Sequence, residues 1–267
     1  MMRSQQGFGE GMAAVAVCGS AADRGDFAPA CLRPGGLELT EDLVTLARLP
    51  RHARVLDLGC GKGTTVAHLV DRHDLRVIGV DASAAQIARA REARPDLGFF
   101  VGRAEGLPFA RAAFDAVLVE CVLSTLADAD AALREIVGVL ADDGCLLVSD
   151  IYTRGGADVC PPSGLPSLGR REAVAGLLEG AGFRIAEWRD RSGVLARAFW
   201  DAAASPGRRP GEAAAESACT AAAAPSGEAV KRPSPRTGRR LGYFICVARV
   251  CARSEAPAAK GAQHGRS

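Results

Sequence analysis

The segment Val55-Leu-Asp-Leu-Gly-Cys-Gly-Lys-Gly63, followed by Val77-Ile-Gly-Val-Asp81, constrains the fold of this chain more than any other stretch. A short apolar run, a glycine-rich turn, a helical stretch and a second apolar run ending in an acid build a parallel strand–helix–strand unit. Such a unit leaves a nucleoside-binding crevice at the carboxyl edge of its sheet. The glycines are spaced GxGxG and follow Asp57, which disfavours a nicotinamide dinucleotide site of the GxGxxG type. A phosphate loop is disfavoured as well, because Lys62 precedes Gly63 and no hydroxyl follows it directly.

Reading outward from this unit predicts an α/β fold. A short helix is expected from Glu41 to Leu49, with Thr40 as its N-cap and Pro50 closing it. Strands are expected at Arg54–Leu58, Arg76–Val80, Gly98–Val101, Phe114–Glu120 and Cys145–Asp150. Helices begin near Gly63 and run from Ser83 to about Arg94. A further helix over Ala127–Leu140 places Leu133, Ile136, Val137 and Leu140 on one face. Five strand–helix alternations imply a parallel sheet covered on both faces. Arg170–Gly180 then reads as a helix, and Gly182–Trp188 and Leu241–Val250 as two final strands.

Composition sorts the remainder. Residues 1–30 are expected to form a mobile arm, 202–238 a disordered Ala/Pro/Arg-rich insertion, and 254–267 a disordered tail. These flank the domain at 31–201 and its last strand within 239–253. The net charge of +2 divides unevenly: residues 1–200 hold 22 Lys and Arg against 26 Asp and Glu, and the rest hold 11 against 5. The folded part is mildly acidic, so a nucleic-acid groove is not expected, and the basic insertion reads as a solvated linker. No 18-residue apolar run is present, so no membrane span is expected, and residues 12–18 are too short and too poorly flanked for a signal peptide. The nine cysteines include no CxxC pair, which points to reduced thiols in a cytoplasmic protein, with Cys145 and Cys246 as core residues. No metal site is expected, and the oligomeric state is not encoded in any visible pattern.

Taken together, VLDLGCGKG, VIGVDAS, GRAEGLPF with FDAV, and LREIVGVLADDGCLLVSD resemble class I S-adenosylmethionine (SAM)-dependent methyltransferases. The likeness is greatest to the small-molecule subgroup that includes the ubiquinone and menaquinone C-methyltransferases. It covers about Arg33–Trp188 and resumes at the final strand. It implies a Rossmann-like, doubly wound seven-stranded sheet with the last strand antiparallel, and SAM as cofactor. By that resemblance Asp57 and the Gly59–Gly63 backbone, with Cys60 and Gly61 within it, hold the methionine portion. Asp81 holds the ribose, Ala82 lies beside the adenine, and Gly102–Phe109, including Ala104 and Glu105, closes over the adenine edge. Arg103 stands where the family usually has an acid, which leaves the adenine amino group to Glu105 or to backbone.

The acceptor side is expected at the ends of the fourth and fifth strands, among Glu120, Cys121, Ser124, Asp150 and Tyr152. Methyl transfer from a sulfonium is an in-line displacement, so alignment and exclusion of water carry much of the catalysis. Glu120 is a candidate to orient the sulfonium end or to act as general base, with helix capping as its plain alternative. Cys121 and Tyr152 complete the candidate catalytic set. Leu118–Ser124 also resembles the strand end of arsenite methyltransferases, which implies a thiol or metalloid site from Cys31, Cys121 and Cys160. Against it stands the ordinary use of free cysteine as a small buried hydrophobe. Trp188 and the final strand pair are expected to shape a lid. The overall expectation is methyl transfer to a small-molecule acceptor. A SAM-binding regulatory or assembly protein without catalysis is the alternative from another class.

Overall fold

The computed structural model describes residues 34–154, 167–195, 197 and 241–251. The expected arm, insertion and tail, together with Cys31 and Cys160, lie outside the described residues.

A single seven-stranded sheet has the order β3-β2-β1-β4-β5-β7-β6. Its strands are β1 (Arg54–Leu58), β2 (Arg76–Asp81), β3 (Gly98–Val101), β4 (Phe114–Glu120), β5 (Leu140–Thr153), β6 (Phe183–Asp190) and β7 (Leu241–Val250). β1 to β5 run parallel, and β7 is antiparallel to both β5 and β6. The helices are α1 (Gly36–Ala47), α2 (Thr64–His73), α3 (Ala84–Ala93), α4 (Ala129–Val139) and α5 (Arg171–Gly180). The expected sheet, with its antiparallel last strand, is present. The central strands are apolar on both faces, as a sheet covered on both sides requires.

Strand alternation divides the core in two. Val55, Val77, Leu118, Leu147, Tyr243 and Ile245 face α1, α2 and α3, while Leu56, Val80, Val117, Val119, Val148 and Phe244 face α4 and α5. Ionic clamps tie the strand and helix ends. Arg54 of β1 meets Asp115 of β4 at 2.6 Å, and this pairing holds the Asp115 carboxyl below its usual range. The same pair is half-exposed, so it adds little stability by itself.

Two boundaries differ from expectation. α1 starts five residues early, because Gly35 and Gly36 adopt positive φ (77° and 49°) and turn the chain directly into the helix. Thr40 is therefore not a cap but a fully buried residue inside α1, beside Leu39, Leu43 and Val44. α1 ends at Ala47 with Arg48 in the left-handed region, two residues before Pro50. β5 runs for 14 residues rather than six. Asp142-Asp143-Gly144 has turn composition, yet Leu140 already pairs with Phe114 of β4 ahead of a register shift, and antiparallel pairing with β7 carries the strand from Cys145 on to Thr153. The expected helix from Ala127 begins at Ala129, capped by the Asp128 side chain on the Ala131 amide.

Candidate functional site

The carboxyl ends of β1 and β2 form one half of the candidate site. Gly59, Gly61 and Gly63 all have positive φ (80°, 53° and 80°), so the loop needs glycine at each. Their surroundings differ. A Cβ on Gly59 would lie 2.2 Å from a Val122 methyl, and one on Gly63 2.5 Å from the Phe99 ring and 3.2 Å from Ala90. Gly61 has nothing within 4 Å of a Cβ. Gly63 serves close packing against β3 and α3. Gly59 serves packing against the end of β4, and Gly61 is the glycine that opens onto free space.

Gly63 is also the N-cap of α2 and brings no side-chain hydrogen bond to the first amides of that helix. The N-terminus of α2 is thus not capped by its own side chain, and its amides favour an anionic partner.

Asp81, at the end of β2, is fixed by two amides: its Oδ2 accepts from Gly61 N at 2.9 Å and its Oδ1 from Ser83 N at 2.8 Å. The carboxylate retains further lone-pair capacity for hydroxyl donors. Asp57 is 3 % exposed at the end of β1, in register with Gly79 of β2 and Leu118 of β4. Cys60 is buried, and desolvation, reinforced by the nearby Asp57 and Asp81 carboxylates, pushes its thiol well above the usual range. It packs as an inert neutral thiol.

Across the crevice, Gly102 N donates to the Asp81 carbonyl. Ala104 is buried, and Leu107 N donates to the Glu135 carboxylate, which fixes the Gly102–Phe109 segment. Arg103 meets Glu105 at 3.2 Å. The residue that departs from the family pattern therefore engages the acid proposed to replace it.

The ends of β4, β5 and β7 form the other half. Glu120 is 7 % exposed, and its carboxylate accepts from Thr40 Oγ1 at 3.2 and 3.3 Å. This links β4 to α1. Asp150, rather than Glu120, caps the single 3-10 turn Leu123–Thr125: it accepts from Ser124 N at 3.0 Å and Ser124 Oγ at 2.6 Å. Burial holds the Asp150 carboxyl up to about 6, opposed by these hydrogen bonds.

Cys121 has φ 56°, an uncommon conformation for a residue with a Cβ. Its amide donates to the Ser149 carbonyl at 2.7 Å. Its thiol lies 2.8 Å from Tyr243 Oη, which also donates to Ser149 Oγ at 3.1 Å. Burial raises the Tyr243 phenol well above its usual range, with Cys121 adding to the effect. Tyr243 and Thr40 are the participants that sequence reading missed. Tyr243 sits in an apolar stretch, where burial is legible and a polar partner is not, and Thr40, between Leu39 and Glu41, reads as a helix cap.

Tyr152 leaves the opposite face of the sheet. Its phenol donates to Asp190 Oδ2 at 2.6 Å, and its ring meets Trp188 and Phe244 edge-on at 5.7 and 5.9 Å. It borders an open hollow of about 380 Å³ with Thr153, Arg154, Arg170, Arg171 and Glu172. Tyr152 and Glu120 are not brought together. Trp188, expected in a lid, is instead stacked on Phe244 at 4.1 Å, with the Arg171 guanidinium 5.3 Å from its ring centroid.

Residues 56–148 match the methyltransferase domain family. An O-methyltransferase, rstn1 of Aspergillus nomiae, is 30% identical over 177 residues, covering 59% of this chain and 77% of its own length. This chain belongs to the methyltransferase family. That family depends on S-adenosylmethionine. A demethylmenaquinone methyltransferase from Beutenbergia cavernae is 37% identical over 129 residues, covering 43% of this chain. The chain spans only about half the length of that relative, 53%. Among solved structures, the [4+2]-cyclase SpnF superposes with a TM-score of 0.65 at 25% identity, covering 80% of this chain and 81% of its own. Among the described residues, no helix is long and apolar enough to cross a membrane.

Proposed function

We propose that this methyltransferase-family chain binds SAM at the carboxyl ends of β1 and β2 and transfers its methyl group to a small-molecule acceptor. The observation that carries the reading is the Gly61–Asp81 arrangement. A glycine with open space above it stands beside a carboxylate already oriented by two amides. Bound there, the cofactor supplies an electrophilic methyl on a sulfonium, and the protein needs to align, desolvate and, where the nucleophile is protonated, accept a proton.

In this reading Asp81 accepts from the ribose hydroxyls, and Ala82 lies beside the adenine. Ala104 and Glu105 border the adenine edge. The amides of the Gly59–Gly63 turn, including Cys60, and the N-terminus of α2 face the amino-acid carboxylate. Asp57 holds the ammonium. Glu120, positioned by Thr40, faces the transfer region and either orients the sulfonium end or accepts the acceptor's proton. Cys121 lines the acceptor side, with its thiol held against Tyr243. Tyr152 is the outlying member of the candidate set, because its phenol is committed to Asp190. A cytoplasmic location completes the proposal.

The named relatives are, by their names, a demethylmenaquinone methyltransferase and an O-methyltransferase, which supports a small-molecule acceptor without choosing its accepting atom. The cyclase among the fold neighbours has a different chemistry by its name, so the test reads methyl transfer itself. Calorimetry of the full chain with SAM is expected to give binding that Asp81→Ala weakens by about 100-fold, the scale of losing one or two hydrogen bonds to a charged group. Incubation with quinol, phenol and amine acceptors is expected to yield S-adenosylhomocysteine and a product heavier by one methyl. Unchanged affinity in Asp81→Ala overturns the cofactor placement. Tight SAM binding without product from any acceptor class favours the non-catalytic alternative.

A further inference from the structure

α1 and α2 bury their apolar stripes against the sheet and leave three ligating side chains at the seam between them. Glu41 of α1 lies between two histidines of α2: its Oε1 is 2.5 Å from His68 Nε2 and 2.9 Å from His73 Nε2. The two rings meet edge-on, 5.8 Å apart at 66°. One nitrogen of each imidazole and one carboxylate oxygen lie within 4.8 Å of one another.

The convergence does not follow from helical spacing alone. Histidines five positions apart stand about 140° apart around a regular helix. They meet because Glu41 of the other helix sits between them, and because His73 is the last residue of α2, before Asp74 turns into the left-handed region at φ 55°. The histidine side chains are 18% and 24% exposed and the glutamate 42%, so the group is walled by protein on one side and open on the other.

We infer that Glu41, His68 and His73 form a binding site for a divalent transition ion of the zinc class, clamping α1 to α2. Two imidazoles and one carboxylate with an open fourth position make a donor set suited to such ions, whereas Mg²⁺ and Ca²⁺ call for oxygen ligands throughout. Bonds of about 2.0–2.2 Å in a tetrahedral arrangement place ligand atoms roughly 3.3 Å apart. The present separations to Glu41 are shorter, being those of hydrogen bonds. Withdrawal of the flexible, half-exposed glutamate by under about 1 Å opens the site.

The position gives the ion a consequence. Glu41 follows Thr40, whose hydroxyl donates to Glu120, and α2 follows the Gly59–Gly63 turn. The clamp therefore joins the helix over the β4 end to the helix of the glycine loop. It is a property of these two helices and does not rest on the proposed methyl transfer.

The test uses the full, metal-stripped chain with Co²⁺ alone as probe, since Co²⁺ reports its ligands by colour. The expected result is visible d–d absorption of a nitrogen- and oxygen-bound ion, without ultraviolet thiolate charge transfer, together with a rise in melting temperature. Replacing two of the chain's four histidines, His68→Gln with His73→Gln, is expected to weaken Co²⁺ binding by more than about 100-fold, beyond the loss of a mere supporting partner. Glu41→Gln serves as a second variant, because the amide oxygen keeps a hydrogen-bond acceptor for the imidazoles while the anionic ligand is lost. Co²⁺ binding that fails in the wild-type chain overturns the proposal. So does a spectrum with thiolate charge transfer that survives in the variants, which places the ion on cysteines and leaves Glu41, His68 and His73 as a hydrogen-bonded knot.

Discussion

The two halves of the carboxyl edge are built by different means. At β1 and β2 the geometry comes from main chain: three positive-φ glycines, the Gly61 and Ser83 amides on Asp81, and a helix start without a side-chain cap. At β4, β5 and β7 it comes from side chains that meet from far apart in sequence. Thr40 and Glu120 are 80 positions apart, Tyr243 and Ser149 94, and Cys121 and Tyr243 122. A backbone-built half tolerates little change, since backbone shape has few solutions. A side-chain-built half is open to replacement one group at a time, which suits the half expected to meet a variable acceptor.

The largest effect should fall on the backbone half. Gly63→Ala forces a Cβ against Phe99 at positive φ and is expected to cost about 2–4 kcal/mol of unfolding free energy in a denaturant titration. Gly61→Ala, with open space around it, should cost only about 1–2 kcal/mol of backbone strain while lowering SAM affinity more than stability. Equal stability losses at the two positions break the distinction between a packing glycine and a ligand-facing one.

The next effect tests the side-chain half through pH. The Asp150 carboxyl is raised from 3.8 to about 6 by burial, so its protonated form favours the folded state. That contribution is complete below about pH 4 and is lost as pH rises through about 6, amounting to about 3 kcal/mol. Carboxylates lowered in the folded state, such as Asp115 beside Arg54, act in the other direction and lose stability as pH falls. The difference in unfolding free energy between the wild type and Asp150→Asn should therefore change across pH 4–7, and a constant difference breaks the assignment.

The smallest effect sharpens the comparison. Tyr243→Phe removes one hydroxyl from the Cys121–Ser149 network and should cost about 1 kcal/mol. SAM affinity should stay unchanged while Cys121 becomes faster to label with a thiol reagent, read by mass spectrometry. Unaltered labelling means the phenol does not govern the thiol.

The same division explains what was legible in the sequence. Asp57, the glycine turn and Asp81 lie within 25 residues, and local spacing carries their geometry. β4 and β7 matched their expected limits, each a run dominated by apolar, aromatic and β-branched residues. α1 and β5 did not. Gly35 and Gly36 started a helix five residues ahead of the expected cap, and pairing of Leu140 with Phe114 of β4 drew the turn-like Asp142–Gly144 into β5. On the proposed acceptor side, Glu120 and Cys121 are candidates because of their place at a strand end. Their partners Thr40 and Tyr243 are not, since no local pattern encodes which distant apolar stretch supplies a hydroxyl. Tyr152 shows the converse: one residue of strand alternation sends its phenol to Asp190 on the other face.

β7 lies between β5 and β6, although it follows both in the chain. During synthesis the half-sheet from β3 to β5 can assemble as it emerges, but among the described residues β6 pairs with residues 241–250 alone and must await them. Until then the nascent chain presents the outer edge of β5 and both edges of β6, and each is a template for wrong pairing with a neighbouring polypeptide. Closing that gap requires pairings between distant parts of the chain, such as Cys145 with Arg249, and these carry a large loop-closure cost. Arrival of one ten-residue strand therefore closes the β5 edge and one edge of β6 in a single step.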